Sequence, residues 1–142
     1  MAQVINPEFA KVYLRRGDSF RDLGNYEAAI KNYIKALAIY PEYKEAYVNL
    51  GNVYHEIGNH EEAISNYTKA IAIAPQCAKL YIDRAAVQGS LGNHEEEADD
   101  FSRAITLNPD DISTYGKRAA VFMLLGRYEQ AVEDYTRLIA LK

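Results

Sequence analysis

The sequence predicts an all-α fold, an α-solenoid of four 34-residue helix–turn–helix repeats, and three observations carry that prediction. The four prolines, Pro7, Pro41, Pro75 and Pro109, stand 34 residues apart. Other residues keep the same spacing: Tyr13, Tyr47, Tyr81 and Tyr115; Gly24, Gly58, Gly92 and Gly126; Gly17, Gly51, Ala85 and Ala119. Within each repeat the apolar residues recur at three and four, the helical spacing. One helical pair cannot bury its own apolar face, so the pairs are expected to share one continuous core. The expectation is a single domain over 1–142, with repeats at about 10–43, 44–77, 78–111 and 112–142.

The first helix, 8–23, follows Asn6-Pro7: asparagine suits an N-cap, and the proline's missing N–H is not needed in a first turn. Gly24 ends it, and helix 26–39 carries Ala29, Ile30, Tyr33 and Ala36. Helix 42–57 has Tyr47, Leu50, Gly51 and Tyr54 on one face. Gly58-Asn59 breaks it, because glycine past a helix end takes left-handed backbone at little steric cost. Helix 60–73 carries Ala63, Ile64, Tyr67, Ala70 and Ile71. Helices 76–91 and 94–107 form the third repeat, and helices 110–125 and 128–141 form the fourth, with Asn108 read as a cap like Asn6. Loops this short make neighbouring helices antiparallel. Ten of the twelve tyrosines fall in recurring columns and are read as core.

The third repeat departs most from the others. Gln88 stands in the column of Phe20, Tyr54 and Phe122, Gly89 follows it, and Glu97 replaces Ala29, Ala63 and Ala131. A glycine inside a helix predicts a looser pair. Two readings stay open: drift in one repeat, or a shallow pocket left by Ala86, Gly89 and Ser90. Arginine occupies one first-helix column at Arg16, Arg84 and Arg118, and in the last two repeats an aspartate, Asp100 or Asp134, follows sixteen residues later. Arg84–Asp100 and Arg118–Asp134 are therefore expected to pair across the helices of one repeat.

A net charge of −4 and the absence of a basic stripe argue against a nucleic-acid partner. No apolar run approaches the roughly 18 residues of a membrane span. The start of the chain lacks a charged and then apolar leader. The single cysteine, Cys77, fits a reducing compartment, and we read the chain as cytoplasmic. Cys77 itself is read as an ordinary small residue at an inter-repeat turn.

These residues resemble the tetratricopeptide repeat (TPR), which has an aromatic, Leu-Gly and Tyr in its first helix, then Ala, an aromatic, Ala and Pro. Tyr47, Leu50-Gly51, Tyr54, Ala63, Tyr67, Ala70 and Pro75 match that pattern, and the resemblance covers about 7 to 141. It implies a right-handed superhelix whose first helices line a concave groove for a peptide or protein. Its implied lining includes Arg15, Asn49, Asn52, His55, Lys79, Asp83 and Lys117, with Lys11, Asp18, Arg21, Glu45, Ala86, Ala120 and Met123 beside them. The expected function is a non-catalytic scaffold or adaptor. Asn49 and Asn52 could bond a peptide backbone whatever its sequence. Cochaperones of this family hold a carboxylate with a Lys and Asn, an Asn, then a Lys and Arg. Here those places read Leu14, Asp18, Asn49, Lys79 and Asp83, or, one repeat on, Val48, Asn52, Asp83, Ser113 and Lys117. That clamp is incomplete, and chaperone tails are not expected ligands.

No catalytic motif stands out, and no enzyme, cofactor or metal site is expected. His55 and His60 are five apart and straddle Gly58, so they do not share a helical face. The acidic run from Glu95 to Asp100 opens a helix and is read as a solvated face. Residues 1–9 resemble the tail of a preceding repeat, echoing the residues before Pro41 and Pro109. Leu138, Ile139 and Leu141 belong to a helix that would ordinarily be covered. A second expectation follows: homo-oligomeric stacking through uncapped end repeats.

Overall fold

The computed structural model describes residues 6–140. Within them run eight helices: α1 (Glu8–Asp22), α2 (Tyr26–Ile39), α3 (Lys44–Glu56), α4 (His60–Ile73), α5 (Ala78–Ser90), α6 (His94–Leu107), α7 (Ile112–Leu124) and α8 (Tyr128–Ala140). The described residues contain no strand. The chain divides into two compact units, Met1–Ile73 with α1–α4 and Ala74–Lys142 with α5–α8. Residues 1–5 and Leu141, both part of the sequence reading of the ends, lie outside the described residues.

Each helical pair closes through the same turn. After α3, the Asn59 N–H reaches Tyr54 O at 2.8 Å and the Gly58 N–H reaches His55 O at 3.1 Å. This double bond needs left-handed backbone at the glycine, and Gly58 has φ 84°. Gly24, Gly92 and Gly126 adopt the same conformation. In the first pair the asparagine that follows caps the next helix, Asn25 Oδ1 accepting from Ala28 N at 3.2 Å. Asn93 makes no side-chain cap bond, and Arg127 takes that place in the last pair.

The prolines work differently from expectation. The N–H groups of Tyr43, Cys77 and Asp111 bond the carbonyls of Tyr40, Ala74 and Asn108, three residues back. Pro41, Pro75 and Pro109 are thus the second residue of a β-turn, where a fixed φ is equally well used. Helices α3, α5 and α7 accordingly start two residues later than their spacing predicts. The turns are fastened by the tyrosine column: Tyr47 and Tyr81 donate through their hydroxyls to Pro41 O at 3.1 Å and Pro75 O at 3.0 Å. Asn6 does bond the first turn, accepting from Glu8 N at 2.9 Å. Asn108 instead ends α6, and Asp111 caps α7, accepting from Ser113 N at 3.2 Å. The bond from the Ser113 hydroxyl, with those from Thr114 and the Ser113 amide, holds the Asp111 carboxyl below its ordinary pKa.

Inside each pair of the first unit one aromatic ring lies on one glycine. Tyr33 and Tyr67 are buried, and a Cβ on Gly17 or Gly51 would stand 2.6 or 2.7 Å from their Cε1 atoms. The first unit gathers its core around this contact, with Leu14, Ala29, Ala36, Ala46, Leu50 and Val53 buried beside Tyr33. In the second unit Ala85, Phe101, Ala119, Val121, Phe122 and Ala131 form the core.

The two cross-helix ion pairs of the second unit form as the sequence predicts. Arg84 donates to both carboxylate oxygens of Asp100 at 2.9 and 2.6 Å, and Arg118 to both oxygens of Asp134 at 2.8 and 2.7 Å. Both aspartates are buried. The hydrogen bonds to their carboxylates raise the pKa of both guanidinium groups, outweighing the opposing effect of burial. Arg16, in the same column, lies over the Phe20 ring at 5.5 Å, while Asn32 Oδ1 is buried without a partner.

The third repeat is not left slack by its glycine. The Glu97 carboxylate fills the space beside Gly89, so close that an added Cβ would lie 2.5 Å from Oε2. Two departures from the repeat thus compensate each other. The acidic run is solvated only in part: Glu96 and Asp99 are exposed, Asp100 is buried against Arg84, and Glu97 is largely covered.

Gly51→Ala should overpack the Tyr67 contact and destabilise the chain by about 1–3 kcal/mol in chemical denaturation. Gly116→Ala meets only the Leu138 Cδ2 at 3.3 Å, a side-chain end that can yield. It should stabilise by about 0.5–1 kcal/mol through helix propensity. Arg118→Leu alone strands a buried carboxylate and should cost about 3–5 kcal/mol. Adding Asp134→Asn recreates the Leu50 and Asn66 combination of the second repeat and should recover most of that loss.

Candidate functional site

The first helices of the repeats supply the residues that the resemblance implies for binding, and in the first unit they meet across α1 and α3. Asp18 and Arg21 lie about one turn apart on α1, and Asn49, Asn52 and Glu56 follow at the same helical spacing on α3. Asp18 Oδ1 accepts from the Tyr33 hydroxyl at 2.5 Å and from Asn49 Nδ2 at 3.0 Å. The Tyr67 hydroxyl donates to Asn52 Oδ1. Arg21 Nε donates to Glu56 Oε1 at 2.9 Å, joining α1 to α3 a turn further along. Arg15 is exposed on α1, about one turn before Asp18. A buried tyrosine thus fixes a candidate groove residue through its hydroxyl in both repeats of this unit.

The electrostatics favour the protonated forms of Tyr33 and Arg21. Burial, then the bond to Asp18, pushes the Tyr33 hydroxyl well above the ordinary tyrosine range, so it remains a donor. Burial alone would lower the Arg21 pKa, but the bond and charge of Glu56 raise it on balance. Burial also lifts Tyr43 and Tyr54.

The second unit arranges its candidates differently. Lys79 Nζ meets Asp83 Oδ2 at 3.1 Å along α5, so these two satisfy each other. Lys117, exposed on α7, borders an open hollow of about 350 Å³ lined also by Ile82, Ala86, Glu97, Phe101 and Val121. Ala86 is the one member of the expected Ala86, Gly89 and Ser90 pocket that lines it. His94 Nδ1 lies 2.9 Å from the Glu97 carboxylate at its edge.

His55 is brought to a neighbour that the sequence reading had kept apart from it. The α3–α4 turn places its Nδ1 3.3 Å from the Nδ1 of His60. Helical periodicity says nothing about side chains on either side of a tight turn, which is why the separation by Gly58 misled. The roles of the Tyr33 and Tyr67 hydroxyls were missed too. A signal was present: Asp18–Tyr33 and Asn52–Tyr67 are each 15 residues apart, close to the 16 that revealed the Arg–Asp pairs. Among the described residues no group of three His, Cys, Asp or Glu side chains is placed to hold a metal ion, and no helix is long and apolar enough to cross a membrane.

Comparison with known proteins agrees with this architecture. A family model described as tetratricopeptide repeat matches residues 8–76 and 45–110, and a second of the same description matches 112–142. No curated protein sequence matches the chain. Among solved structures, a crystal structure of the MamA protein superposes with a TM-score of 0.86 at 27% identity, covering 96% of this chain and 74% of that one. MamA from Desulfovibrio magneticus RS-1, residues 41 to the end, gives 0.82 at 21% identity, covering 96% and 75%. The first TPR domain of Spaghetti (RPAP3), bound to the HSP90 peptide SRMEEVD, gives 0.78 at 23% identity, covering 86% and 97%. These likenesses place four helical pairs in the α-solenoid fold class. With family models matching nearly its whole length, the chain belongs to the tetratricopeptide-repeat family.

Proposed function

We propose that the chain is a non-catalytic scaffold or adaptor that holds an extended peptide or protein segment against the polar face of α1 and α3. One observation carries the reading: Asp18, Asn49 and Asn52 are already fixed by hydrogen bonds to each other or to buried tyrosines. Groups ordered before binding lose little conformational freedom when a ligand arrives. The Asn49 side-chain carbonyl remains to accept a backbone N–H, and Arg15 stands beside this surface to meet an acidic or polar side chain. Lys79, Asp83 and Lys117 are separate candidates within the second unit, on α5 and α7. No cofactor is required.

Chaperone C-terminal tails do not fit this face. Asp18 stands at an asparagine place of the cochaperone clamp, and its carboxylate would repel a terminal carboxylate. Calorimetry with the peptide SRMEEVD should show no micromolar binding. Heat at that level would overturn this exclusion.

Exposed end faces favour a second reading, assembly between copies. Val12 on α1 is 57% exposed, whereas Ala46 and Thr114 in the same column are 0% and 1% exposed beneath a neighbouring pair. On α8, Val132 and Ile139 are 61% and 74% exposed, while Ala98 in the Val132 column is buried. A second copy would cover these faces as the neighbouring pair does inside each unit.

The two readings separate by mutation. Affinity capture from the native cell extract should lose its partner with Asn49→Ala plus Asn52→Ala, circular dichroism being unchanged, and keep it with Ile139→Glu. A partner retained by the double variant would sink the groove reading. Light scattering over a concentration series tests the other: association that Ile139→Glu leaves intact, or a strict monomer at high concentration, would dispose of assembly through α8.

A further inference from the structure

We propose that His55 and His60 form a zinc site, binding one Zn²⁺ through both Nδ1 atoms and fastening the end of α3 to the start of α4. Two distances carry the inference: 3.3 Å between the Nδ1 atoms and 5.2 Å between the ring centroids. A tetrahedral zinc with Zn–N bonds of about 2.0–2.1 Å holds two ligand nitrogens about 3.3–3.4 Å apart. The lone pair of an imidazole nitrogen points outward along the line from the ring centre. Two such rings on one tetrahedral ion therefore have centres about 5.2 Å apart. The two rings already stand at both separations. Square-planar or octahedral ions, with neighbouring ligands at right angles, would need nitrogens at about 2.9 Å. The separation fits tetrahedral zinc better than the right-angled arrangements usual for copper(II) and nickel(II).

As a plain hydrogen bond the contact is poor. An N–H donor prefers its acceptor at about 2.9–3.0 Å, and 3.3 Å lies beyond the usual range. Both rings are partly buried, so the turn holds them without excluding an ion from solution. No third His, Cys, Asp or Glu among the described residues joins them, and Glu56 is committed to Arg21. Water fills the other two positions, which makes the site an open one. It belongs to the second repeat alone. In the third repeat His94 has the place of His60, but the place of His55 is Gly89, and His94 turns to Glu97 instead.

The test is a calorimetric titration of Zn²⁺ into the full chain in a non-coordinating buffer at neutral pH, with nitrogen-15 spectra of the histidine rings. One zinc per chain should bind in the micromolar range, with both His55 and His60 shifting at Nδ1. His55→Gln and His60→Gln should each weaken binding by at least the roughly 10–100-fold that follows loss of a supporting group in a metal site. His94→Gln should leave it unchanged. Circular dichroism of the zinc-free variants checks their folding, and the unaltered chain's ring spectra give a readout that needs no mutation. Absence of saturable binding, binding that survives both substitutions, or coordination through Nε2 alone would overturn the proposal.

Discussion

The contact between Tyr33 and Gly17, repeated by Tyr67 and Gly51, is the constraint from which the first unit is built. A glycine lets two antiparallel helices approach until a ring lies flat against backbone. That approach removes the whole tyrosine side chain from water, its hydroxyl included. Burial there is tolerated because the hydroxyl finds Asp18 or Asn52 and is not itself stranded. The same ring thus contributes to the core and orders the candidate binding face. The second unit relies on another device. Alanines replace the glycines at Ala85 and Ala119, and chelated Arg–Asp pairs tie the helices together. Pairs of this kind set geometry more than they add stability.

The sequence disclosed most of this fold because it contains its own alignment. Four versions of one motif separate invariant columns from variable ones, and the concerted change of Arg84 with Asp100 and Arg118 with Asp134 marked two contacts in advance. Turn chemistry was less legible. A proline without an N–H fits both the first turn of a helix and the second place of a β-turn, so Pro41, Pro75 and Pro109 did not reveal which they occupy. Glu97 and Gly89 each looked like a local loss, and only their contact shows that one departure accommodates the other. Side chains facing each other across a tight turn leave no periodic trace, and His55 with His60 is such a case. For the candidate site, the family resemblance supplied the helix faces. It did not supply the hydrogen bonds that distinguish the locked polar groups of α1 and α3 from Lys79 and Asp83, which neutralise each other.

The two units differ in what their candidate surfaces offer. In the first, polar groups are linked across α1 and α3 by hydrogen bonds. The second combines an apolar hollow with Lys117 and Glu97 at its lining.

The longest side-chain bridges still span short stretches of chain: 15 or 16 residues within a pair, and 31 or 35 between α1 and α3. Each helical pair also carries its own glycine turn, and three pairs open on a proline turn. Contacts this local require only short loops to close, the condition associated with rapid folding. A nascent chain of this kind can complete one pair while the next is still being made, and order can then spread from neighbour to neighbour.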